Sequence, residues 1–307
     1  MREFSVLERI FRENAGLPAS VLVPPGDDMA MLALGGARRL LVASDSVIEG
    51  RHVPMGIDPF VIGRKVVLRN VSDVAAMANA MPIASIVSAV LPAATSDERA
   101  WRLHEGLRDT SRAWGAPVVG GDIATSADAK VISVSLTILA VPCDESHGVA
   151  TRADAKVGDG VFVTGTIGGA WDPATGLGKH LDFTPRLAVA QELSRTLGDR
   201  LGAMIDISDG LGRDLGHLAT MSKVGIEIDL ACVPTVDGLD PRMAIGQGED
   251  YELAFTARGD VPSVIAGVPV TRIGDVVAGD GAVRAAIGGT WMDVRHAGFE
   301  HDGGGAP

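Results

Sequence analysis

The stretch Ala203-Met204-Ile205-Asp206-Ile207-Ser208-Asp209-Gly210-Leu211 contains two kinds of secondary structure and the residues that join them. Its first half, residues 203–207, is short and apolar and is followed by turn-forming residues, a pattern typical of a β-strand. Leucines then recur four and seven residues after Leu211, which predicts a helix that begins after the Asp-Gly pair. The strand therefore leads into the helix through two aspartates, Asp206 and Asp209.

The same alternation of strands and helices continues along the chain. Short, β-branched runs predict four more strands, at Leu40–Ala43, Ile83–Leu91, Val131–Val141 and Gly160–Thr164. Capping residues predict three more helix starts, at Asp58-Pro59, Thr95-x-x-Glu98 and Thr184-Pro185. In the second of these helices we expect Trp101, Leu107 and Trp114 to face the core. This order of elements predicts an α/β or α+β fold, and the pattern does not separate the two.

The composition indicates a packed globular protein with an excess of acidic residues. Of 307 residues, 46% are hydrophobic, 39 are glycine, and the formal net charge is −12. An acidic chain without a basic run is a poor partner for nucleic acid or for an anionic membrane surface. Cys143 and Cys232 have no C-x-x-C partners, which argues against a disulfide framework or a zinc site and favours a reducing compartment. No apolar run is long enough to span a bilayer, so we expect a soluble cytoplasmic protein.

A polar and charged segment, Cys143–Gly158, divides the chain. We place a domain boundary there, with one domain over residues 1–142 and a second over residues 143–307. The end of the chain, His301–Pro307, contains three consecutive glycines and is expected to lack regular structure.

The usual nucleotide-binding motifs are absent, and aspartates beside glycine or a small hydroxyl residue recur instead. They stand at predicted strand ends and helix starts, in Gly26-Asp27-Asp28, Ser44-Asp45-Ser46, Ser72-Asp73, Gly120-Gly121-Asp122 and Asp206–Gly210. A single Asp-Gly pair is commonly a turn or a helix cap. Asp45 and Asp206, however, follow apolar strands, where an unpaired charge is costly. Because Mg²⁺ prefers carboxylate, water and phosphate oxygens, the clusters together predict a site in which Mg²⁺ lies between protein carboxylates and substrate phosphates.

In order and spacing, these segments resemble the thiamine-monophosphate kinase family, which is related to aminoimidazole ribonucleotide synthetase. The resemblance extends over nearly the whole chain. Its most specific segment is Gly248-Glu249-Asp250-Tyr251-Glu252-Leu253, which contains the only tyrosine of the sequence. The other segments that carry it are Gly26-Asp27-Asp28, Asp45–His52, Lys65–Met77, Gly120-Gly121-Asp122, Thr151-Arg152, Gly158-Asp159, Val163-Thr164-Gly165 and Ile205–Leu211.

The resemblance implies an α+β, two-domain, aminoimidazole ribonucleotide synthetase-like fold. In that fold the N-terminal β-sheet domain, residues 1–142, binds ATP and Mg²⁺ and pairs with a second copy in a homodimer. The C-terminal α/β sandwich domain, residues 143–307, completes the substrate site. The implied reaction transfers the γ-phosphoryl group of ATP directly to thiamine monophosphate and gives thiamine diphosphate and ADP.

The resemblance also implies roles for individual residues. It implies that Asp209 and Arg152 are catalytic, and that Gly121, Arg152 and Ser208 contact ATP. It implies contacts to the thiamine substrate at His52, Glu249 and Phe299. Each of these residues could instead have a structural role: His52 in a loop, Glu249 as the anchor of a strand and Phe299 in the core. The Mg²⁺ ligands that it implies are Asp28, Ser44, Asp45, Asp73, Asp122, Asp206 and Asp209.

Several positions depart from the family pattern without removing a carboxylate. They are Ala43, Ile123, Ala124, Asp154 and Gln247. Two alternatives therefore stay open: a related ATP-dependent enzyme that acts on another acceptor, and a non-catalytic paralogue that binds nucleotide.

Overall fold

The computed structural model describes Leu7, Ile10 and residues 16–299 of the chain. The glycine-rich end for which we expected no regular structure, His301–Pro307, lies outside the described residues. Within the described part, two β-sheets and the helices beside them give an α+β arrangement. No helix there is both long and apolar enough to cross a membrane.

The first sheet is built from the first half of the chain. Its strand order is β1-β2-β3-β6-β4-β5, and its pairs are antiparallel except β4 with β5. The strands are β1 (Val21–Val23), β2 (Ala30–Gly35), β3 (Arg38–Ile48), β4 (Ala80–Pro92), β5 (Val118–Ser126) and β6 (Ser133–Pro142). Buried and less buried residues alternate along β6, because successive side chains of a strand point to opposite faces. One face of this sheet is therefore core, and β5 forms one edge.

Helices α1 (Pro59–Ala76) and α2 (Asp97–Ala113) belong to this half. The Asp58 carboxylate accepts the Phe60 N–H at 3.0 Å and Pro59 opens α1, as predicted. The two helices pack very closely: a Cβ atom on Gly106 would lie 2.1 Å from the Phe60 carbonyl oxygen, and one on Gly63 would lie 2.5 Å from that of Leu103. Glycine is therefore required at this crossing.

The second sheet has the order β14-β13-β9-β12-β7-β10-β8, with the short β11 paired to β12. Its strands are β7 (Gly160–Thr164), β8 (Leu201–Asp206), β9 (Gly225–Asp229), β10 (Leu253–Ala257), β11 (Val264–Ile265), β12 (Val268–Val277), β13 (Val283–Ile287) and β14 (Thr290–Asp293). Helices α3 (Leu187–Leu197), α4 (Leu211–Ser222) and the short α5 (Pro241–Ala244) accompany it, with 3₁₀ turns at Lys179–Leu181, Gly198–Arg200 and Leu230–Cys232. Every residue of β7 and β10 is buried, so these strands lie in the middle of the second core.

The α1 helix joins the two halves. It packs on β3 and β6 of the first sheet and also on α3 and β8 of the second half. The first sheet ends at Pro142 and the second begins at Gly160. The boundary that we place between residues 142 and 143 stays a prediction.

Three local expectations from the sequence are wrong in detail. The cap of α2 is Ser96, whose hydroxyl accepts the Arg99 N–H, rather than Thr95. Helix α3 begins at Leu187 without a side-chain cap, rather than at Thr184-Pro185, and Arg186 at its start forms an ion pair with Glu252. A long-range contact, rather than local capping, therefore accompanies the start of α3.

The third correction concerns the core face of α2. Trp101 is 57% exposed, whereas Leu107 is buried and Trp114 packs against the core at partial exposure. The apolar stripe of α2 passes through Leu103 and Leu107, and Trp101 lies outside it.

Candidate active site

Two adjoining cavities lie between the halves of the chain. We call the larger, of about 840 Å³, the acidic cavity, because its lining includes Asp28, Asp45, Asp73, Asp206 and Asp209. We call the smaller, of about 420 Å³, the aromatic cavity, because its lining includes Trp171, Tyr251, Phe299, His52 and His180. Four residues line both: Arg69, Ser208, Asp209 and Tyr251. The cavities therefore meet at these four residues, which we call the junction.

The α1 helix supplies one wall of this site. Lys65, Arg69 and Asp73 are spaced four residues apart, so they lie along one face of the helix. Asp73 lines the acidic cavity and Arg69 lines both cavities. Lys65 contacts Glu249, which lines the aromatic cavity. Their regular spacing in a largely apolar helix is a signal from which the sequence could have assigned Lys65 and Arg69 to a site, as it did Asp73.

Three carboxylates converge in the acidic cavity. Oxygens of Asp28, Asp73 and Asp206 all lie within 4.8 Å of one another. Burial and then the neighbouring negative charges raise the pKa of Asp73 well above its ordinary value, and burial and Asp28 raise that of Asp206 to about 7. Like charges so close together are unfavourable unless a proton or a cation is present. This set of hard oxygen donors is what Mg²⁺ prefers, so the residues fit that ion.

Other members of the predicted ligand set line the same cavity. Ser44 and Asp45 come from the middle of β3, and Ser208 and Asp209 follow the end of β8. The Ser72 hydroxyl donates to Asp206 at 2.6 Å and holds that carboxylate in place. Six of the seven predicted ligands are thus brought to one cavity.

Asp122 is the exception, and Gly121 lies beside it. Both residues are exposed on the edge strand β5, and neither lines the acidic or the aromatic cavity within one chain. A Cβ atom on Gly121 would lie 2.1 Å from the Val87 carbonyl oxygen of β4, so the close pairing of the two strands requires this glycine. The predicted roles of Gly121 and Asp122 stay predictions.

Arg152 is held by the first acidic loop. Its guanidinium donates to both oxygens of Asp28, at 2.6 and 3.1 Å, and to the Gly26 carbonyl at 3.2 Å. Its backbone N–H donates to Asp27 at 3.0 Å. Burial is the largest cause that raises the pKa of Asp27, to about 6. Arg152 lines the acidic cavity and also joins the second half of the chain to the 26–28 loop.

Three N–H groups of the loop before α4 are occupied by a side chain of that helix. One oxygen of Asp214 accepts the backbone N–H groups of Ser208, Asp209 and Gly210 at 3.0, 3.1 and 3.1 Å. A ring of N–H groups of this kind can bind phosphate, but here the chain supplies its own carboxylate. Asp214 therefore fixes the loop that carries two of the predicted site residues.

The 249–252 segment pairs with that loop. Glu249 N–H donates to the Ser208 carbonyl at 2.7 Å and Tyr251 N–H to the Ile207 carbonyl at 2.8 Å. Both donors have positive φ values, 65° and 51°, which non-glycine residues seldom adopt. Their side chains line the aromatic cavity, whereas Glu252 is buried against Arg186. Strained backbone of this kind is concentrated at functional sites.

The three predicted substrate contacts all line the aromatic cavity. His52 Nδ1 accepts the Ile48 N–H at 3.0 Å. The N–H of Phe299 donates to the Asp209 carbonyl at 2.8 Å, and its ring lies 4.8 Å from the Arg51 guanidinium carbon. Although burial opposes ionisation of Glu249, the charge of Lys65 and a hydrogen bond from His180 hold its pKa below the ordinary value. The cavity thus combines aromatic rings with an ionised carboxylate, a combination that suits an organic cation.

Two of the departures from the family pattern are explained by local contacts. Asp154 accepts the N–H and hydroxyl of Thr151 at 2.9 and 2.6 Å, so its charge serves a turn. The Gln247 side-chain oxygen accepts the Gly169 N–H at 2.7 Å. Ala43 lines the acidic cavity without offering a side-chain oxygen. The structure gives no reason for Ile123 and Ala124, which are exposed on β5.

Comparison with known proteins agrees with this description. Residues 26–141 match the family model described as AIR synthase related protein, N-terminal domain. The chain is 31% identical to the thiamine-monophosphate kinase of Rhodopirellula baltica, covering 92% of each chain. It is 33% identical to that of Escherichia coli K12, covering 90% of each. A solved structure of AaThiL complexed with AMPPCP and TMP superimposes with a TM-score of 0.79 at 26% identity, over 98% of this chain and 97% of that one.

The structural likeness extends over both sheets, and it confirms the expected α+β, aminoimidazole ribonucleotide synthetase-like fold. Relatives above 30% identity over nine-tenths of their length share more than an architecture. The chain therefore belongs to the thiamine-monophosphate kinase family.

Proposed function

We propose that the protein transfers the γ-phosphoryl group of ATP to thiamine monophosphate and releases thiamine diphosphate and ADP. The observation that carries this function is the pair of cavities that meet at Arg69, Ser208, Asp209 and Tyr251. One cavity carries the carboxylate cluster and the other the aromatic rings and Glu249. A polyphosphate bound through metal and an organic cation that ends in a phosphate would meet at the junction.

The acidic cavity is the proposed site of Mg-ATP. Asp28, Ser44, Asp45, Asp73, Asp206 and Asp209 are the residues that would hold Mg²⁺ there. When bound, Mg²⁺ would neutralise the charge of the phosphates and align the reacting oxygens. Ser208 and Arg152 are the proposed ATP contacts in this chain. Three of these carboxylates, Asp28, Asp73 and Asp206, already lie close enough together to share a cation.

The aromatic cavity is the proposed site of thiamine monophosphate. Its thiazolium ring is a cation, and Glu249 supplies an ionised carboxylate beside the aromatic rings. His52 and Phe299 are the other proposed contacts. The cavity of about 420 Å³ is in the range that encloses a small organic ligand.

The proposed reaction needs positioning more than it needs a general base. An oxygen of the acceptor phosphate bonds to the γ-phosphorus while the bond from that phosphorus to the bridging oxygen of ADP breaks. Because the acceptor oxygen is already ionised, no proton has to be removed from it. The residues at the junction therefore act by orientation and by stabilising charge.

We further propose that two copies pair through the edge of the first sheet. The exposed side chains Val119 and Ile123 lie on β5, and Met81, Ile86 and Val90 are exposed on β4. An unpaired strand edge with exposed apolar side chains is a natural place for a second chain to add. Asp122 and Gly121 lie on this edge, so their proposed contacts to metal and ATP would depend on the dimer. We also propose that the protein acts in the cytoplasm.

The decisive experiment incubates the purified protein with Mg-ATP and thiamine monophosphate and measures thiamine diphosphate. Product that is lost in Asp209→Asn supports the proposal, and Asp237→Asn, on the surface turn after β9, is the matched control. ATP binding without product in the wild type would favour the non-catalytic paralogue. ATP cleavage that requires a different acceptor would favour the related enzyme.

A further inference from the structure

The junction contains one positive charge. Of the four residues that line both cavities, Asp209 is an acid, Ser208 and Tyr251 are neutral, and Arg69 is a cation. The proposed function brings two phosphate groups together at this point. Their mutual repulsion calls for a positive group there, in addition to the metal site inside the acidic cavity.

Arg69 is held rigidly enough to serve this purpose. Its Nε atom lies 2.8 Å from an Asp45 oxygen, and Nη1 donates to the Ser46 carbonyl at 3.0 Å. Both partners are in β3, across from α1. The side chain is only 16% exposed, so little rotamer freedom remains to be lost when a ligand binds.

Arg69 also has donor capacity that the protein does not use. A guanidinium carries five N–H donors. The Nε atom is buried but is not aligned for a hydrogen bond to Asp45. Within residues 16–299 the structure shows no acceptor for Nη2. Because Nε already faces Asp45 in the ion pair and Nη1 bonds Ser46, the Nη2 amino group is the donor that remains for a ligand.

The Arg69 guanidinium stays protonated in this position. Burial opposes it, but Asp45 and the other acids raise the pKa of the guanidinium above its ordinary value. A planar guanidinium matches phosphate oxygens in a bidentate manner. The other arginines of the site do not reach both cavities: Arg51 lines the aromatic cavity alone, and Arg152, Arg213 and Arg295 line the acidic cavity alone.

We propose that Arg69 is a catalytic residue whose guanidinium contacts the acceptor phosphate at the junction. This inference rests on the proposed function and deepens it. Arg69 holds the phosphate of the acceptor in line with the nucleotide and stabilises the charge that is shared during transfer. Through Asp45 it also links the acceptor phosphate to the proposed metal site.

The test compares two ligands that differ only by the phosphate group. Binding of thiamine and of thiamine monophosphate is measured by calorimetry with Mg²⁺ and AMPPCP present. The wild type is expected to prefer the monophosphate at least tenfold. In Arg69→Gln the ratio of the two affinities, monophosphate over thiamine, is expected to fall about tenfold to a hundredfold, which corresponds to the loss of one charge-assisted hydrogen bond. The affinity for thiamine itself is expected to stay the same. Turnover is expected to fall at least about a hundredfold.

Two further variants complete the design. Arg69→Lys keeps a cation beside Asp45 and is therefore expected to fold. Its preference for thiamine monophosphate over thiamine is expected to lie between those of Arg69→Gln and the wild type. If Arg69→Gln does not fold, the comparison of Arg69→Lys with the wild type replaces it. Arg108→Gln removes a partly exposed arginine of α2 that pairs with Asp109 and lines neither cavity, and it is expected to match the wild type.

The possible results are distinct. If Arg69→Gln weakens both ligands equally, or keeps the preference for the monophosphate, Arg69 does not contact the phosphate and the inference is wrong. If the wild type binds neither ligand, the proposed function itself fails, and this inference fails with it.

Discussion

The Nζ atom of Lys65 lies 2.6 Å from the Oε2 atom of Glu249, in an ion pair that joins residues 184 positions apart. Lys65 is fully buried, and its ammonium also lies 2.6 Å from the His52 carbonyl oxygen and 2.6 Å from His180 Nδ1. Three segments that line the aromatic cavity thus converge on one side chain of α1. Burial lowers the pKa of Lys65 to about 8 although Glu249 opposes the shift.

We predict that Lys65→Met destabilises the protein and weakens binding of the thiamine substrate. The substitution leaves the Glu249 carboxylate, which is 26% exposed, without its main cation, and breaking an ion pair of this kind costs at most about 3–5 kcal/mol. Thermal unfolding and the KM for thiamine monophosphate measure the two effects, and the KM for ATP is expected to change little. Adding Glu249→Gln to Lys65→Met is expected to recover part of the stability.

The control for this prediction is Arg64→Met on the same helix. Arg64 pairs with Asp182, which is 64% exposed. The free energy of unfolding is therefore expected to fall by less than about 1 kcal/mol in this variant. Equal destabilisation by the two variants would show that the buried ion pair has no special role.

We predict that the metal-free protein loses stability as the pH rises from about 4 towards neutrality. Burial and Asp28 raise the pKa of Asp206 from 3.8 to about 7, so the folded state binds more protons than the unfolded state between these values. Stability therefore falls as the pH rises from about 4 to about 7, because protons must leave a buried cluster. Melting temperatures in EDTA across this range measure the effect.

Addition of Mg²⁺ is expected to reverse this trend. Metal ligands must be deprotonated, so the stabilisation by Mg²⁺ should grow with pH and be greatest above pH 7. Asp206→Asn is expected to flatten the pH dependence and to reduce the response to Mg²⁺. A metal response that is independent of pH would contradict this assignment of the cluster.

We predict that Gly106→Ala destabilises the protein by about 1–3 kcal/mol or more. The added Cβ atom would lie 2.1 Å from the Phe60 carbonyl oxygen, so α1 and α2 would have to move apart. On helix propensity alone, alanine would be favoured over glycine by about 1 kcal/mol. Chemical denaturation decides between the two effects. Gly148→Ala, which has nothing within 4 Å, is expected to remain within about 0.5 kcal/mol of the wild type.

We predict that Asp214→Asn reduces Mg²⁺ affinity and stability together. The variant replaces the carboxyl acceptor of three backbone N–H groups by an amide, whose NH₂ group must then occupy a buried position, at a cost of about 1–3 kcal/mol. The loop that carries Asp209 is then less firmly held. Calorimetric Mg²⁺ titration and thermal unfolding measure both effects.

The matched substitution for this prediction is Asp229→Asn. Asp229 caps the short 3₁₀ turn after β9 by accepting the Ala231 N–H at 2.9 Å, and asparagine is an equally good cap. We expect no change in Mg²⁺ affinity. If Asp229→Asn lowered the Mg²⁺ affinity as much as Asp214→Asn does, the loss of affinity would not depend on the 208–210 loop, and the prediction would be wrong.

Much of the secondary structure was predictable because it depends on neighbouring residues. The Asp58-Pro59 cap predicts the start of α1, and the apolar runs predict β7 at its observed bounds and β4, β6 and β8 within a few residues of theirs. The run Leu40–Ala43 covers only part of β3, which continues to Ile48 because its polar residues still pair with β6, so Asp45 lies within the strand rather than after it. Predictions were less accurate where tertiary contacts compete with local pattern. Arg186 at the start of α3 pairs with Glu252, and the Trp101 side chain remains exposed outside the stripe that faces the core.

The candidate site was predicted in part. The carboxylates beside glycine predict a metal cluster, and the structure brings six of the seven candidates to one cavity. Sequence reasoning gave no role to Lys65, Arg69, Trp171, His180 or Asp214. A regular spacing of charges along α1 indicates the first two, but nothing near Trp171 or His180 in the sequence indicates which cavity they line.

The sequence alone determined the order of strands and helices, the carboxylate clusters at their ends and the membership of a kinase family. Those properties follow from local backbone preferences and from motifs of a few residues. Only the tertiary structure decided that Arg69 lies where the two cavities meet, that Lys65 reaches Glu249, and that Asp122 lies apart on the edge strand. The reason is that side chains distant in sequence meet only when two hydrophobic cores pack on opposite sides of α1, and no local preference specifies that contact.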